Sequence, residues 1–408
     1  MKTPAIDEPA SRPACPLLLF YCQHSLGIGH LTRSFALARA LAERFRVLFL
    51  NGGPVPPGVP IPREIEIIDL PPLGMDDGHN VVSRDAGHSV AAARARRRRI
   101  IDDAVAARRP AIVLVELFPF GRKKFAGEIL ALIRAARRQP GSPARVVCSL
   151  RDILVDARRD QQHHDDRARW LANRYFDAIL VHADPNFARI EESFRPSKPL
   201  TVPVHYTGYV VPARDAAAAL PRGDRILVSA GGGIVGYPLF AAALDAQARL
   251  WPTLGLPMRI VAGPFLPEDE WSALQRAAAG RAGVELVRHV PDMVAEMRRA
   301  RLSVSQFGYN TALDIVVAGV PALVVPYAAT GENEQGRRAA ALAALGAVCH
   351  LPAAGLDGAR LADGIAAALR FTPTPAALSL AGAETSAALL AAMLPAPRPA
   401  TTGELQHA

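Results

Sequence analysis

Apolar runs of strand length alternate with helical patterns along most of the chain, and this alternation restricts the fold more than any other feature. The runs in the first half are PLLLFYC, RVLFLN, EIEIIDL, AIVLVEL, ARVVCSL and FDAILVHA, and those in the second half are RILVSAGGG, MRIVAG, VELVRHV, RLSVSQ, PALVVP and GAVCHL. Strands that are apolar on both faces and separated by helices indicate parallel sheets covered on both sides. The sequence therefore predicts an α/β chain with doubly wound, Rossmann-like sheets.

The alternation stops once, at VVPARDAAAALPRGD, residues 210–224, where prolines, alanines and charges replace the strand pattern. Such a composition predicts a linker between two domains. A cleft between two domains of this class is a usual place for a ligand. We expect a flexible tail at 1–15, an N-terminal domain at 16–209, a C-terminal domain at 225–372, a C-terminal helix at 373–395 and a second flexible tail at 396–408.

The charge of the chain is strongly basic. The sequence has 408 residues and a formal net charge of +9, and arginine contributes much of it, including the run RARRRR at Arg94 to Arg99. Two interpretations of this run stay open: an exposed helix face, or a patch that meets anionic lipid or an anionic substrate. Nucleic acid is not an expected partner, because no aromatic interleaving or known binding motif accompanies the charge.

Several other classes of protein do not fit the sequence. No run of about 18 apolar residues occurs, so no membrane-spanning helix is expected. The N-terminal segment MKTPAIDEPASRPACP lacks an apolar core of the secretory type, and we expect a cytoplasmic protein. The four cysteines form no CxxC pair, so neither a zinc site nor a disulfide framework is expected; Cys22 and Cys148 lie in apolar strand patterns and are expected to be buried thiols.

The segment CQHSLGIGHLTR follows the first predicted strand and opens a helix. Gly27 and Gly29 let the backbone come close to a ligand, and a helix N-terminus offers free N–H groups and a positive dipole end. His30 stands in the first turn, where it could act as a general base near neutral pH, and Arg33 lies one turn further along the same side. The alternative is that His30 only caps the helix and packs. The segment is not the dinucleotide fingerprint, because GxGxxG is absent.

Two glycine-bearing turns in the second half each follow a strand and precede a helix. Backbone N–H groups of the turn in VSAGGGIVG can form a nest for a diphosphate, and the small polar residues of SQFGYNTALD stand at a helix N-terminus. At the second turn, sequence alone does not distinguish a helix cap from a phosphate-binding site. Two such turns in one domain favour the interpretation that both bind the same diphosphate. The residues concerned are Ser229, Gly231, Gly232, Gly233, Gly308, Asn310 and Thr311.

Other positions in the second half could bind flat or hydroxyl-rich groups. The strand end at His289 and Val290 can offer a backbone amide pair to a planar base edge. Asp314, one turn into its helix, could accept hydrogen bonds from a ribose diol. Glu334 and Gln335 open a helix, and an adjacent carboxylate and amide can bind sugar hydroxyls. The alternative for this last pair is a charged first helical turn.

Polar residues at strand ends or loops of the first half could form a second ligand pocket. They are His88 in RDAGHS, and Arg151 and Asp152 in SLRDILVD. The alternative for Arg151 and Asp152 is a buried salt bridge.

These segments, in this order, resemble nucleotide-sugar glycosyltransferases of the GT-B fold, and in particular the family 28 group, which includes the peptidoglycan N-acetylglucosaminyltransferase. GIGHLTR is similar to the glycine-histidine loop of that group, and GYNTALDIVVAGVPALVVPYAATGENEQ is similar to its C-terminal signature. The resemblance implies two Rossmann-like domains facing across a cleft, with the acceptor in the N-terminal domain and a UDP-sugar donor in the C-terminal domain.

The resemblance also implies ligands and roles. The acceptor would be a hydroxyl compound, either lipid-linked or small, and a peripheral contact with the inner face of the membrane stays open. No cofactor or metal is implied, because helix N-termini replace a divalent cation. The implied sites are the diphosphate at Gly231 to Gly233 with Asn310 and Thr311, the uracil at the backbone near Val290, the ribose at Asp314, the sugar at Glu334 with Gln335, and the base at His30 on the acceptor side.

The expected reaction is inverting glycosyl transfer by a single in-line displacement, in which His30 removes the proton of the acceptor hydroxyl. One alternative is a UDP-sugar hydrolase of the nonulosonic acid pathway type, whose loop is similar to GxGHxxR. Another alternative is a non-catalytic protein that binds a nucleotide sugar. A non-hydrolysing 2-epimerase would share the fold, but the first half shows no supporting set of carboxylates.

Overall fold

The computed structural model describes residues 15–24, 29–55, 59–76, 80–85, 87–154, 159–212, 222–327 and 334–395. The strands are β1 (Leu17–Cys22), β2 (Arg46–Asn51), β3 (Glu66–Asp69), β4 (Leu73–Met75), β5 (Val81–Ser83), β6 (Ile112–Glu116), β7 (Arg145–Arg151), β8 (Ala178–His182), β9 (Val204–Tyr206), β10 (Ile226–Ser229), β11 (Met258–Val261), β12 (Val284–Val287), β13 (Leu302–Ser305), β14 (Ala322–Val324) and β15 (Cys349–His350). The helices are α1 (Gly29–Leu41), α2 (Val90–Arg108), α3 (Ala126–Arg138), α4 (Gln161–Tyr175), α5 (Tyr237–Leu254), α6 (Glu268–Ala278), α7 (Met293–Arg299), α8 (Tyr309–Ala318), α9 (Glu334–Ala344), α10 (Gly358–Ala368) and α11 (Gly382–Ala392).

Two parallel sheets organise the chain. The first has seven strands in the order β3-β2-β1-β6-β7-β8-β9, and the second has six in the order β12-β11-β10-β13-β14-β15. Each sheet starts at an inner strand, β1 or β10, extends to one edge, and then crosses to the other side of that strand. The point where the order reverses lies between β1 and β6 in the first sheet and between β10 and β13 in the second, which is where such sheets bind ligands. The predicted α/β class with doubly wound sheets is confirmed.

The inner strands are buried on both faces. Every residue of β1, β6 and β8 is buried, because helices cover both sides of the sheet. This is why these strands are continuous apolar runs in the sequence and do not alternate with polar residues. The antiparallel hairpin of β4 and β5 and the edge strand β9 lie outside the predicted runs.

The C-terminal helix packs on the N-terminal sheet. The chain leaves the second sheet, forms a bridge between Ala381 and Val210, and then continues into α11, whose Ala383, Ala387 and Leu390 join the core around α1. A Cβ atom at Gly382 would lie 2.2 Å from the carbonyl oxygen of Gly208, so the close approach of the two segments needs glycine. Residues 213–221 of the predicted linker lie outside the described residues.

The arginine run of α2 is divided between surface and interior. Arg97 is fully buried and donates to the Glu128 carboxylate at 2.8 and 2.9 Å and to the Gly52 carbonyl oxygen at 3.0 Å. It therefore ties α2 to α3 and to the end of β2. The exposed members of the run are Arg94, Arg96, Arg98 and Arg99.

The structure also bears on two further expectations, the burial of the cysteines and the lack of a membrane-spanning helix. Cys22 and Cys148 are buried free thiols, as their strand patterns predict. Among the helices within the described residues, none combines the length and apolar character needed to cross a bilayer.

Candidate active site

A cavity of about 460 Å³ lies between the two domains, where the carboxyl ends of both sheets face each other. Because parallel strands end at one edge, residues far apart in the sequence meet there. The cavity collects most of the residues that the sequence singles out. Those in its lining are Gly29, His30, Arg33, Arg151, Ser229, Gly231, Gly232, Gly233, His289, Val290, Gly308, Asn310, Thr311, Asp314, Glu334 and Gln335.

Three predicted site residues are not in this lining. Gly27 lies outside the described residues. His88 pairs with Asp85 at 2.9 Å on a different part of the N-terminal domain. Asp152 is fully buried, and both of its carboxylate oxygens accept hydrogen bonds from Arg338, so it does not face an acceptor.

His30 forms a pair with a buried carboxylate at the floor of the cavity. Its Nδ1 lies 2.6 Å from Oε1 of Glu116, the last residue of β6. An ionised carboxylate only accepts hydrogen bonds, so the neutral imidazole must carry its proton on Nδ1 and leave Nε2 with a lone pair. His30 is 19% exposed and Glu116 is 0% exposed, so the imidazole reaches the cavity while its partner stays away from water.

The charges around this pair set both protonation states. Burial opposes the charge on Glu116, but His30, Arg122 and Arg33 outweigh burial and hold the pKa of its carboxyl well below the usual range. The Arg33 and Arg122 guanidinium groups lie 2.8 and 3.1 Å from the carboxylate oxygens. Burial lowers the pKa of His30 to about 4, although Glu116 favours the protonated imidazole. At neutral pH, His30 is therefore a neutral base beside an ionised carboxylate.

Sequence reasoning missed Glu116 and Arg122. The available signal was a carboxylate at the end of AIVLVE, a strand pattern that is otherwise apolar. A charge at that position is costly to bury unless it is paired, and in the structure it is paired three times. Its partners are His30 and Arg33 of α1 and Arg122 of the loop after β6. No local sequence pattern links these three residues to Glu116.

The turn after β10 uses its glycines in two ways. Gly233 has φ +91°, and a Cβ atom there would lie 2.1 Å from the Ala262 carbonyl oxygen, so it is needed for close packing against the end of β11. Gly231 has φ +57°, and the nearest atom to a Cβ there is Oγ1 of Thr311 at 3.9 Å. One glycine thus serves packing, and another leaves open space beside the first turn of α8.

The N-terminus of α8 has no side-chain cap among the described residues. Its N-cap is Gly308, and neither Asn310 nor Thr311 caps it, in contrast to the helix-cap alternative. The Asn310 amide instead donates to the Gly29 carbonyl oxygen at 3.3 Å, across the cleft. The backbone N–H groups of the first helical turn therefore remain available to an anion in the cavity.

The start of α9 holds the two residues predicted to meet a sugar. Gln335 accepts hydrogen bonds at Oε1 from the backbone N–H groups of Phe307 and Tyr327, at 2.9 and 3.0 Å, which fixes the amide orientation and leaves Nε2 as the donor for a ligand. Glu334 forms an ion pair with Arg151 of the other domain at 2.5 Å. The alternative of a salt bridge between Arg151 and Asp152 is not met, because each of the two residues pairs with a residue of the other domain.

The remaining predicted donor residues surround the same cavity. Val290 is buried and His289 is exposed, and both follow the end of β12. Asp314 lies in the second turn of α8, on the cavity side. Among the described residues, no cluster of three or more histidine, cysteine or acidic side chains could hold a metal ion.

Tyr309 fixes the position of α8 against the N-terminal domain. Its hydroxyl donates to the His182 carbonyl oxygen at 3.1 Å, and its ring lies under the guanidinium of Arg33 at 5.4 Å. The N-terminus of α8 is thus held by the same arginine that pairs with Glu116. Arg33 therefore connects the first turn of α8 to the His30–Glu116 pair, through its contact with the Tyr309 ring and its ion pair with Glu116.

The C-terminal domain matches a known family. Residues 267–394 match the glycosyltransferase family 28 C-terminal domain. The UDP-N-acetylglucosamine--N-acetylmuramyl-(pentapeptide) pyrophosphoryl-undecaprenol N-acetylglucosamine transferase of Brucella suis is 30% identical over 158 residues, which are 38% of this chain and 42% of that protein. The similarity in sequence thus spans about two fifths of the length of this curated relative.

Solved structures share the whole architecture. CalG4, the calicheamicin glycosyltransferase, is similar with a TM-score of 0.55 and 17% identity, covering 87% of this chain and 90% of its own. A putative UDP-N-acetylglucosamine 2-epimerase of Listeria monocytogenes is similar with a TM-score of 0.59 and 14% identity, covering 95% of this chain and 99% of its own. At such identities the likeness concerns the fold, which is the two-domain GT-B arrangement. The chain therefore has the two-domain GT-B fold, and its residues 267–394 match the glycosyltransferase family 28 C-terminal domain.

Proposed function

We propose that this protein is a glycosyltransferase that moves a sugar from a UDP-sugar to a hydroxyl acceptor. One observation carries the proposal: a single cavity combines the His30–Glu116 pair of one domain with the two glycine-bearing turns of the other. The family 28 C-terminal domain supports a nucleotide-sugar donor. The name of the Brucella relative, an N-acetylglucosamine transferase that uses UDP-N-acetylglucosamine, supports an N-acetylglucosamine-like sugar.

The donor is proposed to bind the C-terminal domain along the cavity. The diphosphate takes the N–H groups of Gly231 and Gly232, since that of Gly233 donates to the Ala230 carbonyl oxygen, and those of the first turn of α8, at the positive end of its dipole. The uracil contacts the backbone near Val290, and Asp314 accepts hydrogen bonds from the ribose. Gln335 donates through Nε2 to one sugar hydroxyl, and the Glu334 carboxylate accepts a hydrogen bond from the adjacent hydroxyl.

The chemical step is proposed as one in-line displacement. The acceptor oxygen forms a bond to the anomeric carbon while the bond from that carbon to the UDP oxygen breaks, so the configuration inverts. His30 Nε2 takes the proton of the acceptor hydroxyl, and Glu116 stabilises the imidazolium that forms. The helix N-termini stabilise the negative charge that develops on UDP, which is the electrostatic contribution that a divalent cation would otherwise make.

The acceptor side of the cavity combines the base with an apolar wall. Val59 and Pro60 belong to the lining of the same cavity as His30 and Thr32. This composition fits an acceptor that presents a hydroxyl next to an apolar portion, either a lipid-linked or a small compound. The exposed arginines of α2 are the proposed site for a peripheral contact with an anionic membrane surface.

A donor and acceptor screen tests the function. Thermal unfolding with UDP-, dTDP- and GDP-sugars identifies the nucleotide, because stabilisation grows as RT ln(1 + [L]/Kd). Turnover of the stabilising donor is then followed with hydroxyl acceptors, in EDTA, and the anomer of the product is read by NMR. An inverted glycoside formed in EDTA supports the proposal in full. Free sugar without acceptor identifies a hydrolase, an epimerised donor identifies a 2-epimerase, and binding without turnover identifies a non-catalytic protein.

A further inference from the structure

Arg151 and Glu334 form an ion pair across the cleft, at the wall of the cavity, with one hydrogen bond from Nη1 to Oε1. Arg151 ends β7 of the N-terminal domain, and Glu334 begins α9 of the C-terminal domain. Their two contacts are Nη2 to Oε2 at 2.5 Å and Nη1 to Oε1 at 3.2 Å. The side chains are 16% and 17% exposed, so the pair is in reach of a ligand.

A second pair fixes this arrangement from behind. Asp152, the next residue after Arg151, accepts from Arg338 Nη2 and Nε at 3.0 and 3.1 Å. Arg338 lies one turn beyond Glu334 on α9, and this inner pair is fully buried. The inner pair is Asp152 with Arg338, and the outer pair is Arg151 with Glu334. Because Asp152 follows Arg151 in the chain and Arg338 lies one helical turn after Glu334, the inner pair holds Arg151 opposite Glu334.

The outer pair leaves hydrogen-bonding capacity at the cavity. An ionised carboxylate has about four lone-pair sites, of which the hydrogen bond from Arg151 Nη1 occupies one. The remaining sites of Glu334 suit the hydroxyls of a sugar. Within the described part of the chain, Nε of Arg151 and Oε2 of Glu334 are both buried without a hydrogen-bond partner, so the protein alone does not satisfy the pair.

We propose that Arg151 completes the donor-sugar subsite from the opposite domain, as a positioning residue that orients Glu334 toward the sugar hydroxyls. This inference rests on the proposed function. The sugar is then recognised only where the two domains meet, whereas the UDP moiety is bound by the C-terminal domain alone. Arg151 consequently affects the binding of a UDP-sugar and leaves the binding of UDP unchanged.

Calorimetric titrations with UDP, UDP-N-acetylglucosamine and UDP-glucose test the inference on the wild type and on Arg151→Gln, Glu334→Gln and the double variant. Losing a charged hydrogen bond corresponds to roughly a tenfold or larger loss of affinity, and we expect that loss in Arg151→Gln for the preferred UDP-sugar, with UDP unchanged. The double variant should bind no more weakly than Glu334→Gln, because the two residues act as a unit. Arg151→Lys should restore part of the affinity, since it keeps the charge but not the fork.

The matched control is Arg145→Gln at the exposed start of the same strand, which should change neither affinity. Three results would overturn the inference and leave the proposed function standing. Arg151→Gln could weaken the binding of UDP and of the UDP-sugar equally, or it could leave the affinity for the UDP-sugar unchanged. The third result is a wild type that binds UDP and both UDP-sugars with equal affinity. A wild type that binds none of the three ligands overturns the proposed function, and the inference with it.

Discussion

At the scale of single residues, the chemistry depends on how Glu116 is paired. A buried carboxylate that contacts one histidine and two arginines stays ionised, and an ionised carboxylate fixes the tautomer of His30. The imidazole is then neutral, with Nε2 directed away from its partner and available to a hydroxyl proton. The same imidazole without Glu116 would have no fixed tautomer.

Replacement of His30 by alanine tests its role as the base. We expect kcat to fall by about 10²–10⁴-fold, because a positioned general base contributes that much. The affinity for UDP should stay unchanged, because the proposed UDP site lies in the other domain. Steady-state kinetics and calorimetry measure the two quantities, and a variant that turns over at the wild-type rate would remove His30 from the mechanism.

The pH profile tests the electrostatic environment of His30. Its pKa is lowered from 6.5 to about 4, and only the neutral imidazole accepts a proton. We therefore expect kcat to stay level as the pH falls through 6.5 and to decline only as it approaches 4.

The Glu116→Gln variant supplies the comparison for that profile. Glu116 raises the pKa of His30, so its removal should shift the acid limb to still lower pH while kcat falls through loss of the tautomer. An acid limb near 6.5 in the wild type would contradict the described environment. Circular dichroism at each pH shows whether any loss of rate reflects unfolding.

At the scale of elements, the turn after β10 separates packing from binding. Gly233 packs against the backbone at the end of β11, whereas Gly231 faces open space beside α8. The two glycines belong to one run but should respond differently to substitution.

Alanine at each of these two glycines tests that separation. Gly233→Ala should reduce the free energy of unfolding by at least about 3 kcal/mol, since positive φ strain adds to an overlap with backbone. Gly231→Ala should cost only about 1–2 kcal/mol of stability, but weaken UDP binding at least about tenfold, because its methyl group enters the proposed phosphate seat. Denaturant unfolding and calorimetry measure both. If Gly231→Ala binds UDP as the wild type does, the phosphate lies elsewhere.

The inner strands could be predicted from the sequence, whereas the edge elements could not. β1, β6 and β8 are buried on both faces and read as unbroken apolar runs. β9 contains only Val204 to Tyr206, is half-buried, and lies at the edge of its sheet, so it has no such pattern. The turn at Gly231 to Gly233 was visible because it has three consecutive glycines at a strand-to-helix junction, whereas the turn at Gly308 stood out only by its resemblance in position to the first.

At the scale of the whole molecule, contacts between the domains decide the geometry of the site. Tyr309 belongs to α8 but packs in the N-terminal core. Asp152 and Arg338 are separated by 186 positions, and Arg151 and Glu334 by 183. Pairings over such distances leave no local signal, so the sequence offered only the neighbours Arg151 and Asp152 as an alternative salt bridge. The sequence could identify many residues of the two halves of the site but not which of them pair across the domains.

Breaking the inner pair tests whether it holds the domains together. Removing one partner of a buried ion pair typically costs about 3–5 kcal/mol, and we expect such a loss in Asp152→Asn by denaturant unfolding. Asp102→Asn is the matched control, because Asp102 pairs with Arg98 on the surface of α2 and an exposed pair contributes about 0–1 kcal/mol. Equal effects of the two substitutions would mean that the inner pair does not couple the domains.

A crystal structure of the protein with UDP bound is the most direct test of the proposed donor site. We predict that the diphosphate lies between the Gly231 to Gly233 turn and the first turn of α8, within hydrogen-bonding distance of backbone N–H groups from both. The β-phosphate should point toward His30 Nε2 across the cleft. A diphosphate held at another surface, or one that contacts only one of the two turns and faces away from His30, would contradict the account.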